Sequence, residues 1–434
     1  MKAYESYKNV DLPWLKRVPE HWGIARNKNF LSEQKTTVGD NFANYSLLSL
    51  TLNGVIIRDV SNGKGKFPAS FNTYKIVSPG NMIFCLFDID ETPRTVGLST
   101  HYGMITNAYE VLGVHNINPQ YLYYYYLQLD NRKALKPLYH GLRKTISVGT
   151  FLQTKLPVPP KEEQDQIVRY LDWQNSRLNK LINAKKKEIA LLEEQKQALI
   201  SQAVTKGLDP NVPLKDSGID WIGQIPEHWL LCNLKYLCSM RSGKNLTSIQ
   251  ITENGPYPVY GGNGVRGYYS QYNVNSECLI VGRQGALCGN VHYVNEKIWA
   301  TDHAVVTQVY NFIHLKFFYY LLTAMNLNRY ASQTAAQPGL AVSNILNQKV
   351  CFPPINEQRK IAVYLERQCT FIDNLIDNIN RIISLLQEYR TRLVADVVTG
   401  QIDVRNIAIP NYETVPETID QPETDEDETN TTEE

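Results

Sequence analysis

Lys155 to Gln174 reads KLPVPPKEEQDQIVRYLDWQ, and Lys349 to Gln368 reads KVCFPPINEQRKIAVYLERQ, an offset of 194 residues. Each stretch starts apolar, reaches a Pro-Pro pair (Pro159, Pro160 and Pro353, Pro354) and passes into an acidic first turn. About 40 residues without Gly or Pro follow, until Gly207 and Gly400. Proline at the start, acid in the first turn and glycine past the end are helix start and stop signals. Two long helices are predicted.

Outward from these stretches the likeness continues. It runs through Leu181/Leu375, Ile189/Ile383, Leu192/Leu386 and Leu199/Leu393 to VTKGLD at Val204 and VTGQID at Val398. Upstream, the tyrosine run ending at Leu127 answers LKFFYYL ending at Leu321, and WLKRVPEHW from Trp14 returns as WIGQIPEHW from Trp221, now at offset 207. The chain is a tandem duplication, and its period is far too long for a solenoid repeat of a few tens of residues. Each half is a whole domain with a long helix. The frames match, whereas the interiors, roughly 34–105 and 241–300, differ in length and sequence. Two copies of one scaffold carrying two different recognition surfaces have that pattern.

In the second helix apolar residues fall at heptad a and d spacing: Ile361, Leu365, Ile372, Leu375, Ile379, Ile382, Leu386, Tyr389 and Leu393, with Gln368 as the polar member. The first keeps Ile167, Leu171, Leu178, Leu181, Leu192 and Leu199 in phase, with Gln174 matching Gln368 and Lys185, Glu188 and Gln195 interrupting. The first helix must leave domain one for domain two, so seams that pack together run antiparallel. Forty residues at ~1.5 Å rise give about 60 Å. The expected fold is α/β (α+β), with two globular domains separated by two long antiparallel helices forming a coiled-coil spacer, pseudo-two-fold symmetric. Its expected divisions are 1–154, a helix within 155–209, 210–348, a helix within 349–405, and an acidic disordered tail over 406–434.

The net charge of +1 conceals an asymmetry. Residues 411–434 hold ten acidic side chains and no Lys or Arg, which leaves 44 basic residues against 33 acidic ones, about +11, in the rest. A body of that sign favours a polyanionic partner. The seven scattered cysteines read as reduced thiols, not a disulfide framework. MKAYESYKNVDLPW has no apolar core of a signal peptide, and no stretch is apolar enough to span a bilayer, so a soluble, cytoplasmic protein is expected.

The duplicated PEHW entries, the paired P-P-x-x-E-Q helix starts at Pro159 to Gln164 and Pro353 to Gln358, and YPVYGGNGVRGYYSQYNV followed by IVGRQGALCGNV carry a family likeness. Together they resemble the specificity subunit of Type I restriction-modification enzymes, over the whole chain except the acidic tail. The resemblance implies that each globular part is a target-recognition domain reading half of a bipartite duplex DNA site. It also implies that methyltransferase subunits, two of them, and restriction-motor subunits dock around the chain. Adenine methylation would use S-adenosylmethionine on those partners, with ATP and Mg likewise on partners and no cofactor on this chain.

Contact residues follow from chemistry alone. Arg241, Lys244, Arg266 and Arg283 stand in Gly-rich segments beside Asn245, Asn263 and Gln284, residue types that bond guanine or adenine edges. Arg58, Lys64, Lys66, Arg94, Arg143 and Lys144 are the candidates in the first domain, with Asp90 or Glu91 as acceptors from a cytosine amino group. Most protein–DNA hydrogen bonds go to the backbone, so phosphate contact is the default role of any one of them. The tyrosine run and His21 and His228 read as structural.

Catalytic readings fail on motif context. Gly262, Gly264 and Gly267 satisfy G-x-G-x-x-G, yet YYSQYNVNSE after them is no helix and offers no N-terminus for a phosphate. There is no G-x-x-x-x-G-K-[ST], no H-E-x-x-H and no C-x-x-C pair, and the Pro-Pro pairs lack the Asn or Asp before and the aromatic after that amino-methyltransferases use. Neither a metal site nor a catalytic site is expected. Two rival readings remain: a nuclease or methyltransferase in its own right, and a scaffold or decoy that assembles methyltransferase subunits without binding DNA.

Overall fold

The computed structural model describes residues 2–58, 71–139, 144–285, 288–331 and 339–416. The chain forms two compact units, Met1–Lys185 with Arg381–Glu434 and Lys186–Asn380.

The duplication is visible in the sheets. In the first unit an antiparallel sheet has the order Leu31–Glu33, Glu110–Val114, Met82–Phe84, Val96–Leu98. In the second the order is Cys238–Ser242, Ala304–Val309, Cys278–Gly282, Val291–Val294, again antiparallel throughout. A helix follows each sheet, Pro119–Asn131 and Leu315–Ala324. Asn118 caps the first, its side chain accepting from the backbone N–H groups of Gln120 (2.9 Å) and Tyr121 (3.2 Å). Tyr121, Tyr124, Tyr125 and Tyr126 are all buried, as are Phe317 and Phe318, so the tyrosine run is core. The interiors are built differently. The second unit adds a three-stranded sheet of Gly264–Tyr269, Tyr257–Gly261 and Trp299–Ala300, while the first has the hairpin Leu48–Thr51/Gly54–Ile57 and the pair Lys75–Val77/Gly103–Ile105.

The long helices run Lys161–Lys206 and Ile355–Val398. In the first unit Ile167 and Leu171 share a core with Leu393, Val394, Val397 and Val398, and farther along Arg390 donates to Asn179 Oδ1 at 3.0 Å. In the second, Ile200, Ala203 and Val204 share a core with Ile361, Ala362 and Leu365, and Lys196 pairs with Asp373 at 2.6 Å. Numbers rise on one helix as they fall on the other in both units, so the pairing is antiparallel, as expected. The seam departs from a strict heptad. Leu181, Ile382 and Tyr389 are 48, 41 and 44% exposed, whereas their neighbours Ile182 and Ile383 are buried. A helix of 3.6 residues per turn drifts ~20° per heptad against a 3.5-residue repeat, so the packed face moves on by one residue.

The repeated motifs explain how the frame closes. In the first unit the buried Glu163 carboxylate accepts from Tyr4 Oη (2.5 Å), His21 Nε2 (2.7 Å) and Trp22 Nε1 (2.9 Å). In the second, Glu357 accepts from His228 Nε2 (2.8 Å) and Trp229 Nε1 (3.0 Å). The next residue secures the loops: Gln164 donates to Pro159 O and accepts from Asn118 N, and Gln358 does the same with Pro353 O and His314 N. PEHW and P-P-x-x-E-Q are therefore two halves of one clamp, and His21 and His228 hold the frame together. Each long helix ends at a glycine in the left-handed region, Gly207 (φ 75°) and Gly400 (φ 71°), seated against Trp229 and Trp22.

The acidic tail needs a correction at its start. Residues 404–416 lie along the first long helix: Gln166 Nε2 donates to the carbonyls of Val404 (3.0 Å) and Ile407 (2.8 Å), and Ser176 Oγ to that of Glu413 (2.7 Å). Asn179 and Asn183 donate to the carbonyls of Val415 and Pro416, both at 2.9 Å. Side-chain to main-chain bonds hold the strap, and Val404 is buried in the first unit's core with Ile407 and Ile409 packed against it. Residues 417–434 lie outside the described part of the chain.

All seven cysteines are free thiols. Burial pushes Cys238 and Cys351 up to about 12 and Cys278 up to about 11, so they stay protonated at neutral pH. Among the described residues no helix is long and apolar enough to cross a membrane.

Candidate nucleic-acid interface

Strand direction decides what gathers in the second unit. Antiparallel pairing brings the end of Cys238–Ser242, the start of Ala304–Val309, the end of Cys278–Gly282 and the start of Val291–Val294 to one edge of the sheet. The segments leaving that edge are 243–244, 301–303 and 283–290, with residues 286–287 of the last outside the described residues. Backbone bonds tie them: Lys244 N to Ala300 O (2.9 Å), Arg283 N to His303 O (2.9 Å) and Gly282 N to Asn290 O (2.9 Å).

The turn at 262–263 joins this edge because the glycines in and beside it permit close approach. A Cβ on Gly262 would lie 2.7 Å from Gln284 O, and one on Gly264, whose φ is +97°, would lie 3.3 Å from the His292 ring. Asn290 Nδ2 then donates to Asn263 Oδ1 at 3.1 Å.

The structure thus gathers Arg241, Lys244, Asn263, Arg283 and Gln284, all exposed except the half-buried Arg283. Arg283 donates to Ser242 Oγ at 3.1 Å, which fixes its guanidinium beside the Arg241 strand. Arg266 is exposed on Gly264–Tyr269, and its side chain covers Gly261, where an added Cβ would come within 2.4 Å of Arg266 Cδ.

The first unit behaves differently. Lys64, Lys66 and Arg143 lie outside the described residues. Arg58 is half-buried at the end of a hairpin, its N–H bonded to Leu47 O at 2.8 Å. Arg94 departs from expectation. Its guanidinium donates to Asp130 Oδ2 (2.9 Å) and Asn131 Oδ1 (3.0 Å), and its side chain is only 15% exposed. Asp130 is 1% exposed and also takes Lys133 (2.8 Å), so Arg94 balances an internal charge and is committed to the fold. Lys144 sits at the sheet edge matching that of the second unit, its carbonyl accepting from Asp88 N and its ammonium paired with Glu91 and, at 3.6 Å, Asp90. The Tyr139 hydroxyl, with Lys144 and Lys136 nearby, holds the Asp90 carboxyl below its usual range. Asp90 and Glu91 thus already have donors from their own chain.

Two residues at the second-unit edge escaped the sequence reading. Asn290 sits 27 positions from its partner Asn263, and His292 lies on the edge strand beneath the turn. Burial lowers the His292 pKa, leaving the ring neutral, and its enclosed Nε2 has no partner among the described residues. The repeated G-N dipeptides, Gly262-Asn263 and Gly289-Asn290, were the available signal. Among the described residues no group of three His, Cys, Asp or Glu side chains is placed to hold a metal.

Comparison with known proteins agrees with this architecture. The model of the type I restriction modification DNA specificity domain matches residues 96–191 and 226–388, more than half of the chain. The EcoprrI type I restriction enzyme specificity subunit of Escherichia coli is 40% identical over 162 residues, 36% of this chain and 40% of that protein. The MjaVIII specificity subunit of Methanocaldococcus jannaschii is 26% identical over 283 residues, 59% of this chain and 64% of that protein. The chain therefore spans less than two thirds of either relative it matches. A solved chain, described under complex assembly and conformational transition of the type I R-M system, shares the fold at a TM-score of 0.63 and 14% identity, covering 89% of this chain and 99% of its own length. This chain belongs to the type I restriction modification DNA specificity family.

Proposed function

We propose that this chain is the non-catalytic DNA-reading subunit of a type I restriction-modification complex, and that its two units read two unlike halves of a bipartite duplex site. Methyltransferase subunits, two per complex, and restriction-motor subunits assemble on it in the cytoplasm. S-adenosylmethionine, ATP and Mg belong to those partners. The observation that supports the reading most is the sheet edge of the second unit. There Arg241, Lys244, Arg283, Gln284 and Asn263 stand in or beside glycine-rich turns that let main chain approach a duplex.

Arginine bonds guanine O6 and N7, amide side chains bond adenine N6 and N7, and lysines serve phosphates, so this set suits a groove. Arg58, Lys64, Lys66, Arg143 and Lys144 are proposed as the first unit's contributions, and Arg266 as a further contact of the second. Arg94 is withdrawn from the set for the reason given above.

The test uses the chain bound to its methyltransferase subunits. Specific duplex should be shifted with a log–log salt slope of about −0.9 per phosphate contact. Arg266→Ala should weaken binding by about 1–3 kcal/mol and relax one base position if it reads a base. Equal weakening across all sequences would make Arg266 a phosphate contact, and a complex that shifts no duplex would leave only the scaffold reading.

A further inference from the structure

We propose that Asn263 and Asn290 form a composite reader of one adenine in the major groove. The inference rests on the DNA-reading function above and names the base that one part of the second unit takes. Asn290 Nδ2 donates to Asn263 Oδ1 at 3.1 Å, and both side chains are exposed at the sheet edge. That one bond uses a donor of Asn290 and an acceptor of Asn263. It leaves a complementary remainder, the Asn263 amino group as donor and Asn290 Oδ1 as acceptor, neither with a partner among the described residues.

Adenine presents N7, an acceptor, beside the N6 amino group, a donor. Guanine presents two acceptors, N7 and O6, and would set O6 against Asn290 Oδ1. Cytosine offers only its amino donor, and thymine an acceptor with a methyl group. Of the four bases taken singly adenine alone satisfies both amides, and the analogues below separate it from a G·C pair, whose guanine O6 and cytosine N4 amino group also stand side by side.

The pair is also held in place before any ligand arrives. Asn263 sits on the turn between Tyr257–Gly261 and Gly264–Tyr269, whose left-handed Gly264 rests on the His292 ring. Tyr260 also meets that ring edge-on, with centroids 6.2 Å apart and planes at 60°. Asn290 is anchored where its carbonyl accepts from Gly282 N at 2.9 Å. Neighbouring Gln284 and Arg283 supply further polar contact on the same edge.

The test changes single atoms of DNA, so folding of a variant cannot confuse it. With the wild-type chain in its methyltransferase complex, each adenine of the recognised site is replaced by 7-deazaadenine, which lacks the N7 acceptor, or by 2-aminopurine, which lacks the N6 amino group. One adenine should respond to both analogues, each weakening binding roughly 10-fold, a share of the discrimination expected from a bidentate pair. Asn263→Ala should become indifferent to 7-deazaadenine there, and Asn290→Ala to 2-aminopurine. Variants that keep the wild-type response to both analogues overturn the proposal while leaving DNA reading intact, as does a site with no adenine sensitive to both. A wild-type complex that binds every duplex equally overturns the DNA-reading function and this pair with it.

Discussion

Glu163 and Glu357 occupy the same place in the two halves and grip the same His-Trp pair, yet their surroundings differ sharply. The Glu163 side chain is 5% exposed and Glu357 38%. The difference comes from the chain ends. In the first unit Tyr4 adds a third donor, Arg405 lies over the Tyr4 ring at 5.0 Å, and Asp403 N bonds Lys2 O at 2.9 Å. The segment after the second long helix thus closes the first clamp against residues 2–4, ahead of the first strand. Among the described residues no such third donor reaches Glu357. Identical motifs therefore make unequal contributions, because burial decides what a carboxylate bonded to a tryptophan is worth.

Removing the two carboxylates should break the symmetry most strongly. Glu163→Ala strands the Trp22 N–H and the Tyr4 hydroxyl in a dry site and should cost about 3–5 kcal/mol, as when one partner of a buried charged network is lost. Glu357→Ala strands one buried tryptophan N–H beside a solvated histidine and should cost about 1–2 kcal/mol. Hydrogen exchange of amides in each unit reads the two costs separately, which a single unfolding midpoint of a two-unit chain does not. Equal costs would mean that burial of the clamp does not set its strength.

A smaller asymmetry should appear at the helix-ending glycines. Both have positive φ, so alanine costs about 1–2 kcal/mol at either position. A Cβ at Gly400 would also meet Pro19 Cδ at 2.3 Å and Trp22 at 3.1 Å, whereas at Gly207 the nearest atom is Trp229 at 3.3 Å. Gly400→Ala should therefore destabilise the first unit by about 2–5 kcal/mol in total, overpacking included. Gly207→Ala should stay near the lower figure, and matching losses in urea-dependent exchange would show that Pro19 yields freely.

The long helices, the duplication and the tyrosine core were legible because each is a local pattern repeated in register. What the clamp does was not. PEHW and P-P-x-x-E-Q were visible as motifs, but Trp22 and Glu163 stand 141 residues apart, and no periodicity connects them. The heptad template chose Ile382 and Tyr389 over Ile383, because it assumes supercoiling that the packed face does not follow. Arg94 resembled its basic neighbours until Asp130, 36 residues on, took its charge. In the candidate interface, Asn263 and Gln284 were chosen for side-chain type, while Asn290 gained meaning only from the strand order that sets it beside Asn263. Most of the strap at 404–416 falls inside the stretch expected as tail from residue 406, and its bonds to the first long helix together with the packing of Val404, Ile407 and Ile409 on the core distinguish it from one.

The central claim is that two unlike readers share one duplicated frame. It is tested most directly by mapping modified adenines in DNA from cells that make this chain with its methyltransferase subunits, before and after residues 241–300 are exchanged for those of a relative. The account predicts two unlike blocks separated by an unread gap, with the exchange rewriting one block and sparing the other. A single uninterrupted site, or an exchange that rewrites both blocks, would contradict it.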